Sequence, residues 1–233
     1  AVLPSVNIAW LLSSEHFMAN SKISLLKLRA SYGMTGNDDI GNYTSRQTYT
    51  SQSLLGIQGL VRNGIPNSAI QWESGQRINL GLDIAAWNDR ISLTVDVYKN
   101  KTSNMLVYEE LPAATGFSTI ATNNGSMENT GIDASLNIRV INKPAFKWDI
   151  GLQAGMYRNK VLSVPNGSFV TSYAGAGILT RNGESANQFY GWVADGVFST
   201  TAEAAAAGLS KKNADGSLSA FAAGDIRFRD LNG

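Results

Sequence analysis

No cysteine occurs among the 233 residues, which excludes disulfide frameworks, thiolate metal sites and cysteine nucleophiles. The single histidine, His16, leaves any Ser-His-Asp arrangement dependent on one side chain. It lies in the polar stretch Ser13 to Asn20, where a turn or surface role is expected. An excess of one charge is also missing: 19 Lys and Arg face 18 Asp and Glu, for a formal +1, so no global field marks the chain for nucleic acid. No stretch approaches the ~18 consecutive apolar residues of a spanning helix, and no basic segment followed by an apolar run opens the chain. Both ends fall in strand-like or turn-rich stretches, so the chain is expected to be a piece of a longer protein.

What the sequence has in quantity is alternation. Leu26, Leu28, Ala30 and Tyr32 alternate with Lys27, Arg29, Ser31 and Gly33. Ile78, Leu80, Leu82 and Ile84 alternate with Asn79, Gly81 and Asp83. Ile91, Leu93, Val95 and Val97 oppose Ser92, Thr94, Asp96 and Tyr98. The same period of two continues through Ile132 to Val140 and through Phe146 to Met156. This is the strand signature, and in each of the five runs the charges keep to one parity.

The connections between the runs alternate in length. Long ones are expected at about residues 34 to 71, 108 to 125 and after Val161; short ones are expected at Trp87 to Arg90 and Ile141 to Ala145. Long loops at one rim and short turns at the other are the pattern of an up-and-down transmembrane barrel. The runs also reach the ~9 to 11 residues that a tilted strand needs to cross a bilayer. Aromatic residues near the ends of runs, Trp72, Trp87, Tyr98, Tyr108, Phe146, Trp148 and Tyr157, fall where interfacial girdles would lie. A soluble or surface-exposed β-sandwich that binds glycan, with one wet face, is the alternative. Loop parity and strand length favour the barrel.

Several segments together carry a family resemblance: Leu26 to Asn37 (LKLRASYGMTGN), Ile70 to Asp83 (IQWESGQRINLGLD), Arg90 to Leu106 (RISLTVDVYKNKTSNML), Leu111 to Phe117 (LPAATGF), Asn123 to Asp133 (NNGSMENTGID), Phe189 to Phe198 (FYGWVADGVF) and Gly224 to Gly233 (GDIRFRDLNG). In this order and spacing they resemble successive barrel segments of the SusC/RagA family of TonB-linked outer-membrane transporters of Bacteroidetes. The resemblance implies an all-β fold, a partial antiparallel up-and-down barrel from the later part of the barrel, without a plug domain in this stretch. It implies a bacterial outer-membrane location and import of oligosaccharides or peptides. It also implies partnership with a SusD-like surface lipoprotein, and energy from the TonB complex through an N-terminal region. Nucleic acid is not an expected partner.

The triplet Asn-x-Gly-x-Asp occurs at Asn79, Gly81 and Asp83 and again at Asn129, Gly131 and Asp133. Fifty residues is the distance expected of a two-strand advance along a barrel wall, and glycine there lets neighbouring groups approach the wall. Asn79, Asp83, Asp96, Asn129, Asp133, Asn137 and Arg139 are the candidate lumen-lining residues. Tyr43, Tyr49, Tyr108, Phe117 and Tyr173 are the loop aromatics that could stack on a sugar or peptide. Asp230 and Asn232 resemble the start of a calcium loop, the one cation expected in a longer protein; no other cofactor is expected. Glu109 and Glu110 are adjacent and would point to opposite faces of a strand, so an acid/base pair is not expected and a solvated loop mouth is. Asn42, Asn100, Asn124 and Asn166 are expected in turns, and Ala174 to Gly177 in a flexible loop. Thr200 to Leu209 is predicted to form a short helix capped by Thr200 and Gly208. No constellation points to an enzyme.

Overall fold

The computed structural model describes residues 2–213 and 215–229. Its strands are β1 (Ser5–Leu11), β2 (Ile23–Asn37), β3 (Tyr49–Leu54), β4 (Ile57–Arg62), β5 (Glu73–Ala86), β6 (Ile91–Glu110), β7 (Thr119–Lys143) and β8 (Phe146–Ser163). They continue as β9 (Ser168–Tyr173), β10 (Ala176–Arg181), β11 (Gln188–Tyr190), β12 (Ala194–Val197), β13 (Ser210–Lys212), β14 (Leu218–Ala220) and β15 (Ile226–Phe228), and one helix, α1 (Thr201–Ala206), follows β12. The chain divides into two units, Ala1–Phe169 with Leu179–Gln188, and Val170–Ile178 with Phe189–Gly233.

The first unit is built on a six-stranded antiparallel sheet of order β1-β2-β5-β6-β7-β8. Register across it is nearly unbroken. One row runs Trp10, Leu28, Leu82, Val95, Ala134, Ala154, and the next alike-facing row runs Ile8, Ala30, Leu80, Val97, Ile132, Met156. Over these rows the two-residue period therefore sorts the sheet into one apolar and one polar face. The apolar face is open: Ile8 is 67%, Leu80 58% and Met156 72% exposed. Among the described residues of this unit, Ala85 and Val161 are the buried hydrophobics. A sandwich would bury this face against a second sheet, so the sandwich alternative is set aside.

Turn chemistry fixes one rim. Between β5 and β6 the chain reverses through Trp87, Asn88 and Asp89, all in the left-handed region at φ 55°, 57° and 60°, and the Asp89 carboxylate accepts a 2.6 Å hydrogen bond from the Ser24 hydroxyl. Between β7 and β8 only Pro144 and Ala145 are left out of the ladder, because Lys143 pairs with Phe146. The turn expected over residues 141 to 145 is thus mostly strand. The same rim holds residues 12–22, which carry the exposed His16 in a single 3-10 turn.

At the opposite rim the structure departs from expectation. The stretch 108 to 125 is not a long loop: β6 runs to Glu110 and β7 starts at Thr119, leaving 111–118 outside the pairing. Register shifts lie on either side of Met105, and Asn104 has φ +56°. A bulge re-phases the alternation there. Asn100 and Asn124 lie within β6 and β7 rather than in turns, whereas Asn42 and Asn166 are in turns. Glu109 and Glu110 are the last paired residues of β6, opposite Ile120 and Thr119, rather than residues of a loop mouth. The connection after β2 contains a further hairpin, β3–β4, closed by Leu55 and Gly56 at φ 51° and 80°. That left-handed pair is the geometry of a tight two-residue turn. Ala174 and Gly175 form a similar tight reversal between β9 and β10, and Ala176 and Gly177 already belong to β10, so this stretch is a hairpin and not a flexible loop.

The second unit has its own small core. Phe198 and Ala204 are each 1% exposed, and the Phe198 ring lies 5.7 Å from that of Phe221. The Thr200 hydroxyl accepts from the Glu203 N–H at 3.1 Å while the Glu203 carboxylate accepts from the Ser199 N–H at 2.9 Å. This reciprocal cap is the physical reason so short a helix forms. Gly208 follows the helix end at φ 64°.

Candidate functional site

The polar face of the six-stranded sheet is organised around Arg29. Its guanidinium donates to Asp83 at 2.8 and 3.2 Å and to Asp96 at 3.0 Å, so one side chain on β2 ties β5 and β6 together. Asn79 donates to the other oxygen of Asp96 at 3.0 Å. The side chains of Arg29, Asp83 and Asp96 are 31%, 20% and 25% exposed, half-sheltered enough for forked ion pairs to hold a fixed geometry.

Glycine makes that geometry flat. Gly81 lies between Arg29 and Asp96 in the register, and a Cβ built there would lie 2.5 Å from the Arg29 guanidinium carbon and 2.7 Å from an Asp96 oxygen. Gly131 is covered in the same way by the Tyr98 ring, 2.5 Å from its virtual Cβ, and Gly155 by Asp133 at 2.6 Å. Side chains on this face therefore lie down over the neighbouring strand instead of projecting.

All seven sequence-predicted wall residues share this face. Asp96 pairs with Asp133, Asn129 with Asn100 and Asn159, and Asn137 with Ser92 and Gly151. Arg139 stands apart near the short-turn rim, bonded to Asp149 at 3.0 Å. Asn79 occupies the row of Gly131, so the second Asn-x-Gly-x-Asp triplet is offset by two residues over two strands. An offset of one residue per strand corresponds to a tilt of ~35° for triplets at one height. Tyr98 and Tyr157 fall in that same row and are polar-face residues, not members of an outward girdle. Phe146 and Trp148 start and continue β8, Trp148 sharing the apolar parity of Ile150.

A second feature lies at the long-loop rim. Hairpin β3–β4 and the tip of the β6–β7 hairpin enclose a cleft of about 590 Å³, with Gln52, Arg62 and Asn63 on one side and Phe117 and Ser118 on the other. The segment leading into β5 is strapped over the β6–β7 hairpin: Asn123 bridges the backbone carbonyls of Gln71 and Asn104 at 2.8 Å each, and Asn67 donates to the Ala121 carbonyl at 2.9 Å. Of the predicted loop aromatics, Phe117 lines the cleft and Tyr49 pairs with Arg62 at its hairpin base. Tyr43 and Tyr108 are exposed outside it, at 72% and 68%, and Tyr173 ends β9 in the second unit. The cleft offers one cation, amides, hydroxyls and one ring, a set suited to polar chains with occasional apolar groups. Asp230 and Asn232 lie outside the described residues, and among the described residues no group of three or more His, Asp and Glu converges as a metal site.

The family model described as TonB dependent receptor-like, beta-barrel, matches residues 1–225. The chain belongs to this TonB-dependent receptor barrel family. Its relatives include TonB-dependent receptor P3 of Formosa agariphila, 33% identical over 210 residues, covering 85% of this chain and 21% of the relative. TonB-dependent receptor SusC of Bacteroides thetaiotaomicron is 29% identical over 200 residues, 78% of this chain and 19% of the relative. The structure of the RagAB peptide transporter matches with a TM-score of 0.76 at 25% identity, over 98% of this chain and 26% of that one. The chain thus spans about a fifth of the length of the curated relatives it matches. As a barrel segment of a TonB-dependent receptor of the SusC/RagA kind, it is an outer-membrane protein. In barrels of this kind the apolar face of a strand is the one that meets lipid.

Proposed function

We propose that this segment forms part of the wall and external rim of a TonB-dependent transporter that imports oligosaccharides or peptides with a SusD-like surface lipoprotein. TonB would supply the energy through an N-terminal region of the full-length protein. One observation carries the reading: a single sheet exposes its apolar face while its polar face is flattened by side chains lying over Gly81, Gly131 and Gly155. A wall of this form leaves room in a lumen for a plug and for cargo. Asn79, Asp83, Asp96, Asn129, Asp133, Asn137 and Arg139 line it in this reading, and Arg29 joins them. The rim cleft, with Arg62 and Phe117, is the part that meets cargo or the lipoprotein, and Tyr43, Tyr49, Tyr108 and Tyr173 are the remaining aromatic contacts. The RagAB structures are of a peptide transporter, which supports peptides as one of the two cargo classes.

The test is uptake of fluorescent oligopeptides and oligosaccharides by cells carrying the full-length receptor. Uptake of one class is expected to require both receptor and TonB, and to fall about tenfold when Arg62→Ala and Phe117→Ala are combined, the equivalent of ~1.4 kcal/mol of binding. Uptake of both classes that is indifferent to loss of the receptor would overturn the proposal.

A further inference from the structure

The outward parity of the sheet does not remain apolar to the long-loop rim. On β8 it runs from Phe146 through Trp148, Ile150, Leu152 and Ala154 to Met156. That stretch is ~33 Å along the strand, or ~25 Å along the membrane normal at a ~40° tilt, the full height of a barrel's apolar band. The next two side chains of the same parity are Arg158 and Lys160.

Register places them in a cluster. Lys99 on β6, Thr130 and Arg158 form one row, and Lys101, Glu128 and Lys160 form the next. Lys99 pairs with Glu128 at 2.9 Å. Among the described residues, no ion pair engages Lys101, Arg158 or Lys160, and all three are exposed. Adjacent strands and alternate residues bring these cations within a patch of ~10 by ~7 Å. The charge is local to β6, β7 and β8: at the same two levels β2 and β5 carry Tyr32, Met34, Ile78 and Gln76. It is therefore a patch and not a generic interfacial ring.

We propose that Lys101, Arg158 and Lys160 form a binding site for the phosphorylated headgroup of an outer-leaflet lipid. The patch sits at the rim that bears the long connections, which is the external one in an outer-membrane barrel. Immediately below it lie Val97, Ile132 and Met156, 44%, 40% and 72% exposed. An occupant with anionic oxygens above and acyl chains below satisfies both surfaces at once. A free anion would satisfy the upper one alone.

The experiment uses the full-length receptor in nanodiscs, titrated with diphosphoryl lipid A, with fully dephosphorylated lipid A and with inorganic phosphate, and read by native mass spectrometry. The wild-type receptor is expected to retain diphosphoryl lipid A about tenfold more tightly than the dephosphorylated form, and inorganic phosphate is expected not to displace it. Combining Lys101→Gln, Arg158→Gln and Lys160→Gln should abolish that preference, and Lys101→Arg alone should keep it. Heat-modifiable migration on gels reports whether each variant has a closed barrel. Should the triple variant not close, Lys101→Gln and Lys160→Gln singly are each expected to reduce the preference about threefold. No preference in the wild type, an unchanged preference in the variants, or displacement by inorganic phosphate would each sink the assignment.

Discussion

The two faces of the six-stranded sheet invert the ordinary rule of burial. Leu152 and Met156, on the apolar face, are 58% and 72% exposed, whereas Asp83 and Asp96, on the polar face, are 20% and 25% exposed. In a water-soluble protein the carboxylates would be the exposed set. The contrast teaches that the polar face covers itself, by side chains folded over glycine, while the apolar face is left for an outside partner, the role hydrocarbon plays in an outer-membrane barrel.

The largest break in this contrast comes from charging the apolar face at mid-height. Leu136→Arg, in the row of Leu93 and Leu152, is expected to cost the full-length barrel ~2 to 4 kcal/mol in unfolding from lipid bilayers. Ser135→Arg, one residue away on the other face, should cost less than ~1 kcal/mol. Equal costs would mean that the faces are not in different solvents. On the polar face, Gly131→Val should cost ~1 to 3 kcal/mol through overpacking, because its Cβ would meet both the Tyr98 ring and, at 3.0 Å, the backbone oxygen of Met156. Tyr98→Ala in the same chain is expected to recover only part of that loss in the same unfolding assay. Arg29→Met should cost ~1 to 2 kcal/mol, and the loss should shrink on raising salt, as the apolar-face substitution's does not.

How far the sequence revealed these faces depends on what interrupted the alternation. Runs such as Ile91 to Tyr98 are legible because nothing breaks their period. The strand ends that flank the β6–β7 tip were not: residues 108–110 and 119–125, expected in a long loop, belong to the paired strands, and their sequence keeps no apolar parity. Hairpin β3–β4 carried a usable signal, the Leu55-Gly56 reversal between Tyr49–Leu54 and Ile57–Arg62, but Ile57, Leu60 and Val61 of β4 do not keep to one parity. Arg29 showed its parity in the sequence and not its partners. Asp83 and Asp96 lie 54 and 67 residues away, and only register brings them together. The rim cleft was illegible for the same reason.

The smallest effect lies away from both faces and serves as their control. In the second unit, the Lys211 ammonium at 2.9 Å and the Ala222 N–H at 2.8 Å hold the Asp225 carboxyl below its ordinary pKa. A depressed folded-state pKa means that the contribution is present above the usual carboxylate range and is lost as pH falls through the lowered value. Protection of residues 194–213 and 215–228 against hydrogen exchange, relative to the intrinsic rate at each pH, should therefore fall below about pH 4, and Asp225→Asn should remove that acid-side change while leaving the apolar rows of the sheet unaffected.

The sheet ends at β1 on one side and β8 on the other, and β8 alone is 18 residues long. Along such a margin every second peptide unit aims its N–H and C=O away from the existing ladder, and in oil each unmet group costs several kcal/mol. In a bilayer such a margin is stable only where another strand pairs with it.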